Sequence, residues 1–257
     1  MIIVVKIGGA AAEDGKLVKL LAEEISALTE ENYKVLLVHG GGITISTLQK
    51  QLGITPRFNN GIRETLPQEM PVIDMALAGE VNKRIVRQMR SAGVNAFGLS
   101  GADGGIITAE STGDSVETNR TGRVVSTDVY PLKHLWSGGF TPVIAPPSSD
   151  SKGNALNINA DEAALALAEA LLADYLIFIS DVPGVLDNGE LIKTLTPVLI
   201  EEHIDSGVIN GGMIPKVRSA AAALANGVKS VCISSYYGSG ALKEILSEKR
   251  GTVIKNS

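Results

Sequence analysis

Several absences narrow the field before any motif is read. Cys232 is the only cysteine, so no disulfide can form within the chain, and its place in the apolar run SVCIS predicts a buried thiol. Basic residues are not in excess: 23 Lys and Arg against 28 Asp and Glu leave a net charge of −5. That balance argues against a nucleic-acid partner but leaves small anions open, because they need only a local cluster. No apolar run is long enough to span a bilayer, and MIIVV lacks the basic flank and length of a secretion signal, so a cytoplasmic protein is expected. His39, His134 and His203 stand outside any HExxH or zinc-ligand spacing, and no serine nucleophile elbow occurs, which leaves a hydrolase without its machinery. A Walker A loop is missing too, as is the GxGxxG of dinucleotide-binding folds.

What is present is an alternation. The runs IIVV, KVLLVHG, NAFGLS, TPVIAPP, YLIFIS and KSVCIS are continuously apolar, the pattern of strands buried on both faces of a parallel sheet. Helical segments lie between them at GKLVKLLAEEISALTEEN, GGITISTLQKQLG, DEAALALAEALLA and MIPKVRSAAAALANG, the last stopped by Gly227. The order predicts an α/β fold. A longer helix is predicted over TLPQEMPVIDMALAGEVNKRIVRQMRSAG, where Thr65 and Gln68 offer a capping box and Pro71 bends the helix or delays its start. GGIITAESTGDSVETNR and GRVVSTDVYPL turn polar and β-branched, which predicts β-hairpins projecting from the main sheet. The turn-rich PPSSDSKGN marks a boundary between two lobes, 1–150 and 151–257.

Lys6 ends the first apolar run, where an unpaired charge is costly unless an anion meets it. Glycine clusters follow two of the predicted strands, KIGGA (Lys6 to Ala10) and HGGGI (His39 to Ile43), and each precedes a helix. On parallel strands both loops lie along one carboxyl edge, where backbone N–H groups and helix N-termini can meet an anion. Singly, each cluster serves equally as a tight turn. In VINGGMIPKV, Lys216 falls in or near a first helical turn, against the helix dipole; it is either an exposed charge or a second cation aimed at phosphate. Asn157, Asn159 and Asp161 fall at a strand-to-helix junction, where spacing alone favours Asp161 as the helix cap. ISDVPGVLDNG sets Ser180 and Asp181 before a Pro-Gly turn that could border a nucleotide.

Taken in order, KIGG, HGGG, NGIR, NINAD, SDVPGVLD and GGMIPKV resemble the amino acid kinase family over essentially the whole chain. The resemblance implies a three-layer αβα sandwich with a central, mainly parallel sheet. It implies an N-terminal lobe (1–150) for the amino acid and dimerisation, and a C-terminal lobe (151–257) for ATP. The implied reaction is ATP-dependent phosphorylation of the side-chain carboxylate of N-acetyl-L-glutamate, giving an acyl phosphate on the route to arginine. Carried onto this chain, Lys6 and Lys216 are the cations on the transferring phosphoryl group and Asp161 orients them. Gly41, Gly42, Arg63 and Asn157 match substrate-binding positions, and Gly8 and Gly9 would donate N–H groups to phosphates. Asp181, Val182, Pro183, Gly184, Val185 and Leu186, with Val208, Ile209 and Asn210, match the nucleotide-binding positions. Mg2+ would arrive with ATP, bound mainly through phosphate oxygens, with no metal ligands expected from the protein.

A carboxylate attacking ATP is already ionised at neutral pH, so no general base is required, and charge neutralisation and positioning carry the catalysis. The nearest rival is a sister kinase of lysine biosynthesis acting on carrier-linked glutamate or aminoadipate; GIRETLPQ and GGMIPKV favour the free acetylated amino acid. A ligand sensor that has kept the fold is the rival from another class. Ala102 stands where many relatives carry lysine. Arginine-inhibited hexameric relatives have a helix before the first strand, and the long helix here carries Ala76, Ala78 and Gly79 among Met75 and Leu77. A homodimer not strongly inhibited by arginine is therefore expected.

Overall fold

A computed structural model describes residues 1–8, 11–59 and 61–256, and residues 9 and 10 only as helical. The first apolar run forms β1 (Ile2–Ile7), followed by the short α1 (Gly9–Glu13), α2 (Gly15–Glu30) and β2 (Lys34–His39). α3 (Gly42–Gln51) leads into the hairpin strands β3 (Arg57–Asn59) and β4 (Ile62–Glu64). One long helical run then comprises α4 (Met70–Asp74), a π-helical stretch (Met75–Val81) and α5 (Asn82–Ser91), and ends before β5 (Ala96–Ser100). Next come β6 (Ile107–Ser111), β7 (Thr121–Thr127), α6 (Tyr130–Ser137), β8 (Thr141–Ala145), β9 (Ser148–Ser149), β10 (Ala155–Ile158) and α7 (Ala160–Ala170). The chain finishes with β11 (Tyr175–Ile179), β12 (Leu186–Asp187), β13 (Glu190–Leu191), β14 (Thr194–Leu195), α8 (Pro197–Asp205), α9 (Met213–Ala225), β15 (Ser230–Ser234), α10 (Ala241–Leu246) and β16 (Thr252–Lys255).

The main sheet has eight strands in the order β14-β16-β15-β11-β1-β2-β8-β5. All its pairs are parallel except β15 with β16. Successive residues of β1 face opposite layers, as a strand requires. Ile3, Val5 and Ile7 pack with the buried faces of α2, α5 and α10, whereas Val4 packs with those of α6, α7, α8 and α9. The result is three layers, α/β/α. Lys6 shares the parity of Val4, so its side chain leaves the sheet on the α7 side. Cys232 lies in β15 and is 1% exposed, and burial pushes its thiol up to about 12. Among the described residues no helix is long and apolar enough to cross a membrane.

Several local expectations are revised. NAFGLS forms β5, an edge strand rather than a doubly buried one, and Phe97 is 42% exposed, edge-on to Phe140 at 5.5 Å. The polar segment makes one hairpin, β6 with β7, and β9 and β10 close it into a four-stranded barrel. At the start of the long helix the reciprocal contact is shifted by one residue: the Leu66 N–H donates to Glu69 Oε2 at 2.8 Å, while Thr65 turns elsewhere. Pro71 sits in the first turn of α4, where its missing N–H costs nothing. Ala76 and Leu77 are buried within the subunit and Ala78 is half-buried against the same cluster, so the exposed part of the small-residue stretch is reduced to Gly79 beside Met75.

Candidate active site

β1, β2 and β11 are parallel neighbours, so the loops after all three open at one edge of the sheet. β10 and the N-terminus of α7 reach the same edge. Asn159, rather than Asp161, caps α7: its side-chain oxygen accepts from the Asp161 N–H at 2.8 Å. Such a cap is worth about 1 kcal/mol. It also frees the Asp161 carboxylate from any capping duty.

That carboxylate joins the two lysines singled out in the sequence. Lys6 Nζ lies 2.7 Å from Asp161 Oδ1, and Lys216 Nζ lies 3.8 Å from Oδ2. The lysine side chains are only 13% and 19% exposed. Burial holds the Lys216 ammonium below its ordinary range; Asp161 opposes that shift, Lys6 adds to it, and Asp181 opposes it. Two ammonium groups around one carboxylate leave a local excess of positive charge, a setting that favours an incoming polyanion.

Lys6, Gly8, Gly41, Gly42, Arg63, Asn157 and Asp161 line one cleft of about 330 Å³. Gly9, expected toward the phosphates, is described only as helical at the start of α1, and Asn60 of NGIR lies outside the described residues. Arg63 is 9% exposed, and burial keeps its guanidinium below the ordinary range, with Glu69 acting against the shift. Three of its five N–H groups are engaged: it donates to Gln49 Oε1 at 2.5 Å, to the Gly42 carbonyl at 3.1 Å and to Ser46 Oγ at 2.8 Å. Phe58, its cross-strand partner, lies 4.7 Å below the guanidinium. Among the described residues no carboxylate is within ion-pair distance of Arg63. A buried, oriented cation without a counterion is suited to an external carboxylate.

Asn157 Nδ2 donates to Thr65 Oγ1 at 2.9 Å, and the Thr65 N–H donates to Thr121 Oγ1 at 2.9 Å. The barrel is thereby tied to the β3–β4 hairpin that carries Arg63. Gln49 and Ser46 were not singled out from sequence, and Thr65 was read only as a helix cap. Gly42, Ser46 and Gln49 recur at helical spacing on one face of α3, and a buried glutamine on that face is the signal that could have found them.

The residues assigned to a nucleotide divide into two groups. Asp181, Val182 and Pro183 are exposed in the loop after β11, and Leu186 begins β12 with 39% exposure. Gly184 is buried at φ 152, where an added Cβ would crowd the Thr252 backbone at 3.0 Å. Val185 and Ile209 are buried in the core with their backbones tied inside the chain: the Val185 N–H donates to Thr252 Oγ1 at 2.8 Å, its carbonyl accepts from the Ile192 N–H at 2.9 Å, and the Ile209 N–H donates to the His203 carbonyl at 2.9 Å. Val208 and Asn210 lead into the N-terminus of α9, on whose first turn Lys216 is carried. Ala102 is exposed in the turn after β5.

The model of the amino acid kinase family matches residues 1–235. An acetylglutamate kinase from Bacillus licheniformis is 42% identical over 234 residues, covering 90% of each chain. Among solved structures, smu.665 from Streptococcus mutans superposes with a TM-score of 0.83 at 31% identity, covering 100% of this chain and 99% of that one. An N-acetylglutamate synthase from Neisseria gonorrhoeae, complexed with coenzyme A and N-acetyl-glutamate, gives 0.84 at 25% identity, covering 100% of this chain and 59% of its own.

Proposed function

The chain belongs to the amino acid kinase family, and from that premise we infer that it transfers the terminal phosphoryl group of ATP to the side-chain carboxylate of N-acetyl-L-glutamate, in the cytoplasm and on the route to arginine. The observation that carries this reading is the Lys6–Asp161–Lys216 cluster beside an oriented Arg63 that has no carboxylate within ion-pair distance among the described residues. A carboxylate oxygen of the acceptor forms a bond to the terminal phosphorus as the bond to the bridging oxygen of ADP breaks. The nucleophile is ionised at neutral pH, with a reference pKa of about 4.3, so no proton has to be removed. Lys6 and Lys216 neutralise charge on the moving phosphoryl group, and Asp161 holds both at their stations.

Arg63, on the lobe formed by 1–150, and Asn157, from β10 of the lobe formed by 151–257, receive the other end of the acceptor. The nucleotide is held on the lobe formed by 151–257, along the segments Asp181 to Leu186 and Val208 to Asn210, with Gly8 and Gly9 toward its phosphates. Among the described residues no group of three His, Cys, Asp or Glu could cage a metal ion. A Mg2+ ion would be carried in on the phosphate oxygens of ATP, where it would offset their charge.

A coupled assay of ADP release with N-acetylglutamate, glutamate, aspartate and UMP as acceptors tests the reading. Turnover with the first alone supports it. Binding of N-acetylglutamate without ATP turnover would favour a binding-only protein, a reading that draws on the likeness to the synthase. We also infer a homodimer through the face that carries the exposed Met75 and Gly79 and the half-buried Ala78, without strong inhibition by arginine. Light scattering coupled to chromatography, with and without arginine, checks that; a monomer or a hexamer refutes it.

A further inference from the structure

The π-helical stretch packs on the second glycine loop. A Cβ on Gly41 would come within 2.8 Å of Leu77 Cδ2 and 2.9 Å of Val81 Cγ2, so only glycine fits under this helix. The next residue, Asn82, is fully buried at the start of α5. Its side-chain nitrogen faces His39 Nε2 and the Val143 carbonyl at 3.0 Å each, and the Leu99 carbonyl at 3.3 Å. Its oxygen accepts from Lys83 Nζ at 3.0 Å, which fixes the amide's orientation. Gly98 makes room for this seat, since any Cβ there would collide with Asn82 Oδ1.

His39 is also fully buried. With an amide donor facing Nε2, the ring must carry its proton on Nδ1, which donates to the Gly40 carbonyl at 2.9 Å. Burial holds the imidazole down at about 4, consistent with a neutral ring. No described peptide bond is cis. In a trans peptide C=O and N–H point in opposite directions, so holding the Gly40 oxygen toward His39 turns the Gly41 N–H away from it. Gly40 and Gly41 both line the cleft that holds Lys6 and Arg63.

We propose that His39 and Asn82 are positioning residues that aim the Gly41 N–H at the anion in the cleft, an inference that rests on the phosphoryl-transfer reading above. His39→Leu removes the hydrogen bond to Gly40, whereas His39→Asn can keep it, because the asparagine amide nitrogen occupies the place of Nδ1. The leucine variant should retain wild-type circular dichroism and lose about 10²-fold in kcat, with KM for ATP changed by less than about twofold. The asparagine variant should recover at least about tenfold of that loss. Equal losses in the two variants, or losses that track melting temperature alone, overturn the proposal. Should the leucine variant not fold, ¹⁵N NMR of the wild-type imidazole decides: a neutral Nδ1–H tautomer from pH 6 to 8 supports the assignment, and an Nε2–H tautomer overturns it. A wild-type protein without phosphoryl transfer would instead overturn the functional reading, while the NMR result would still judge the pair.

Discussion

Asp161→Asn keeps the size of the side chain and removes only its charge, which makes it the sharpest perturbation of the cation cluster. At 3.8 Å, the separation from Lys216, two unit charges interact by about 1 kcal/mol in water and about 4 kcal/mol at an effective dielectric of 20. The Asp161 side chain is 39% exposed, so solvent screening favours the lower half of that range, about 1–2 kcal/mol. Expressed in turnover, that is a loss of about 5- to 30-fold at neutral pH. The pH dependence has a definite sign. Lys216 is held below its ordinary range by burial, and Asp161 is one of the groups that pull it back up. Without the carboxylate the lysine deprotonates at lower pH, so the basic limb of the kcat profile moves toward acid and the deficit widens from pH 7 to pH 9. A coupled ADP-release assay across that range reads both effects. A profile parallel to wild type, or one displaced toward base, would refute the electrostatic reasoning.

Replacing the cation itself should separate stability from turnover: Lys216→Met should lower kcat by about 10²–10³-fold while raising the melting temperature at pH 7. Its depressed folded pKa means the charged lysine disfavours folding below that pKa, and the penalty fades as pH rises toward the unfolded value; thermal melts at pH 7 and pH 10 check the sign, and a lower melting temperature at pH 7 contradicts it. Arg63→Lys should raise KM for the acceptor by about ten- to hundredfold and leave KM for ATP nearly unchanged, because a point charge replaces a fork aligned by Gln49 and Ser46; equal changes in both constants would count against the assignment. His39 titrates at about 4 in the folded chain against an ordinary 6.5, so stability should fall by about 2–4 kcal/mol as pH drops through that window. Urea denaturation at pH 7 and pH 4 should show this dependence in the wild type and a flatter one in His39→Asn.

The sheet was legible because strands covered on both faces read as unbroken apolar runs, and five of the six runs are such strands. NAFGLS reads the same way, yet lies at the edge, since a run of five residues carries no mark of its neighbours. Asn159 and Asp161 both suit an N-cap, and spacing two apart could not choose between them; only the observed bond from the Asp161 N–H does. Lys6 and Lys216 stood out because each occupies a position where a charge is uncomfortable. The supporting shell did not. His39 and Asn82 meet across 43 residues of chain, and Asn157 reaches Thr65 across 92, distances over which local periodicity carries no information. The π-helical stretch was equally hidden, because its apolar residues also satisfy ordinary helical spacing.

That stretch has a consequence for how the chain can vary in length. A π-turn accommodates a residue more than the α-helical turn it replaces. Deleting Ala78 or Gly79 would let the run from Met70 to Ser91 wind as uninterrupted α-helix, a change that backbone hydrogen bonding alone would welcome. The shortened helix would still have its apolar stripe, and could still cover the sheet. Its two ends would nevertheless fall out of phase: with α5 seated on Gly98, Leu77 would be swung off Gly41; with Leu77 seated, Asn82 would miss His39. A one-residue deletion here would be felt at both seats at once, whichever of the two residues is removed. The segment is constrained as a count rather than as a composition.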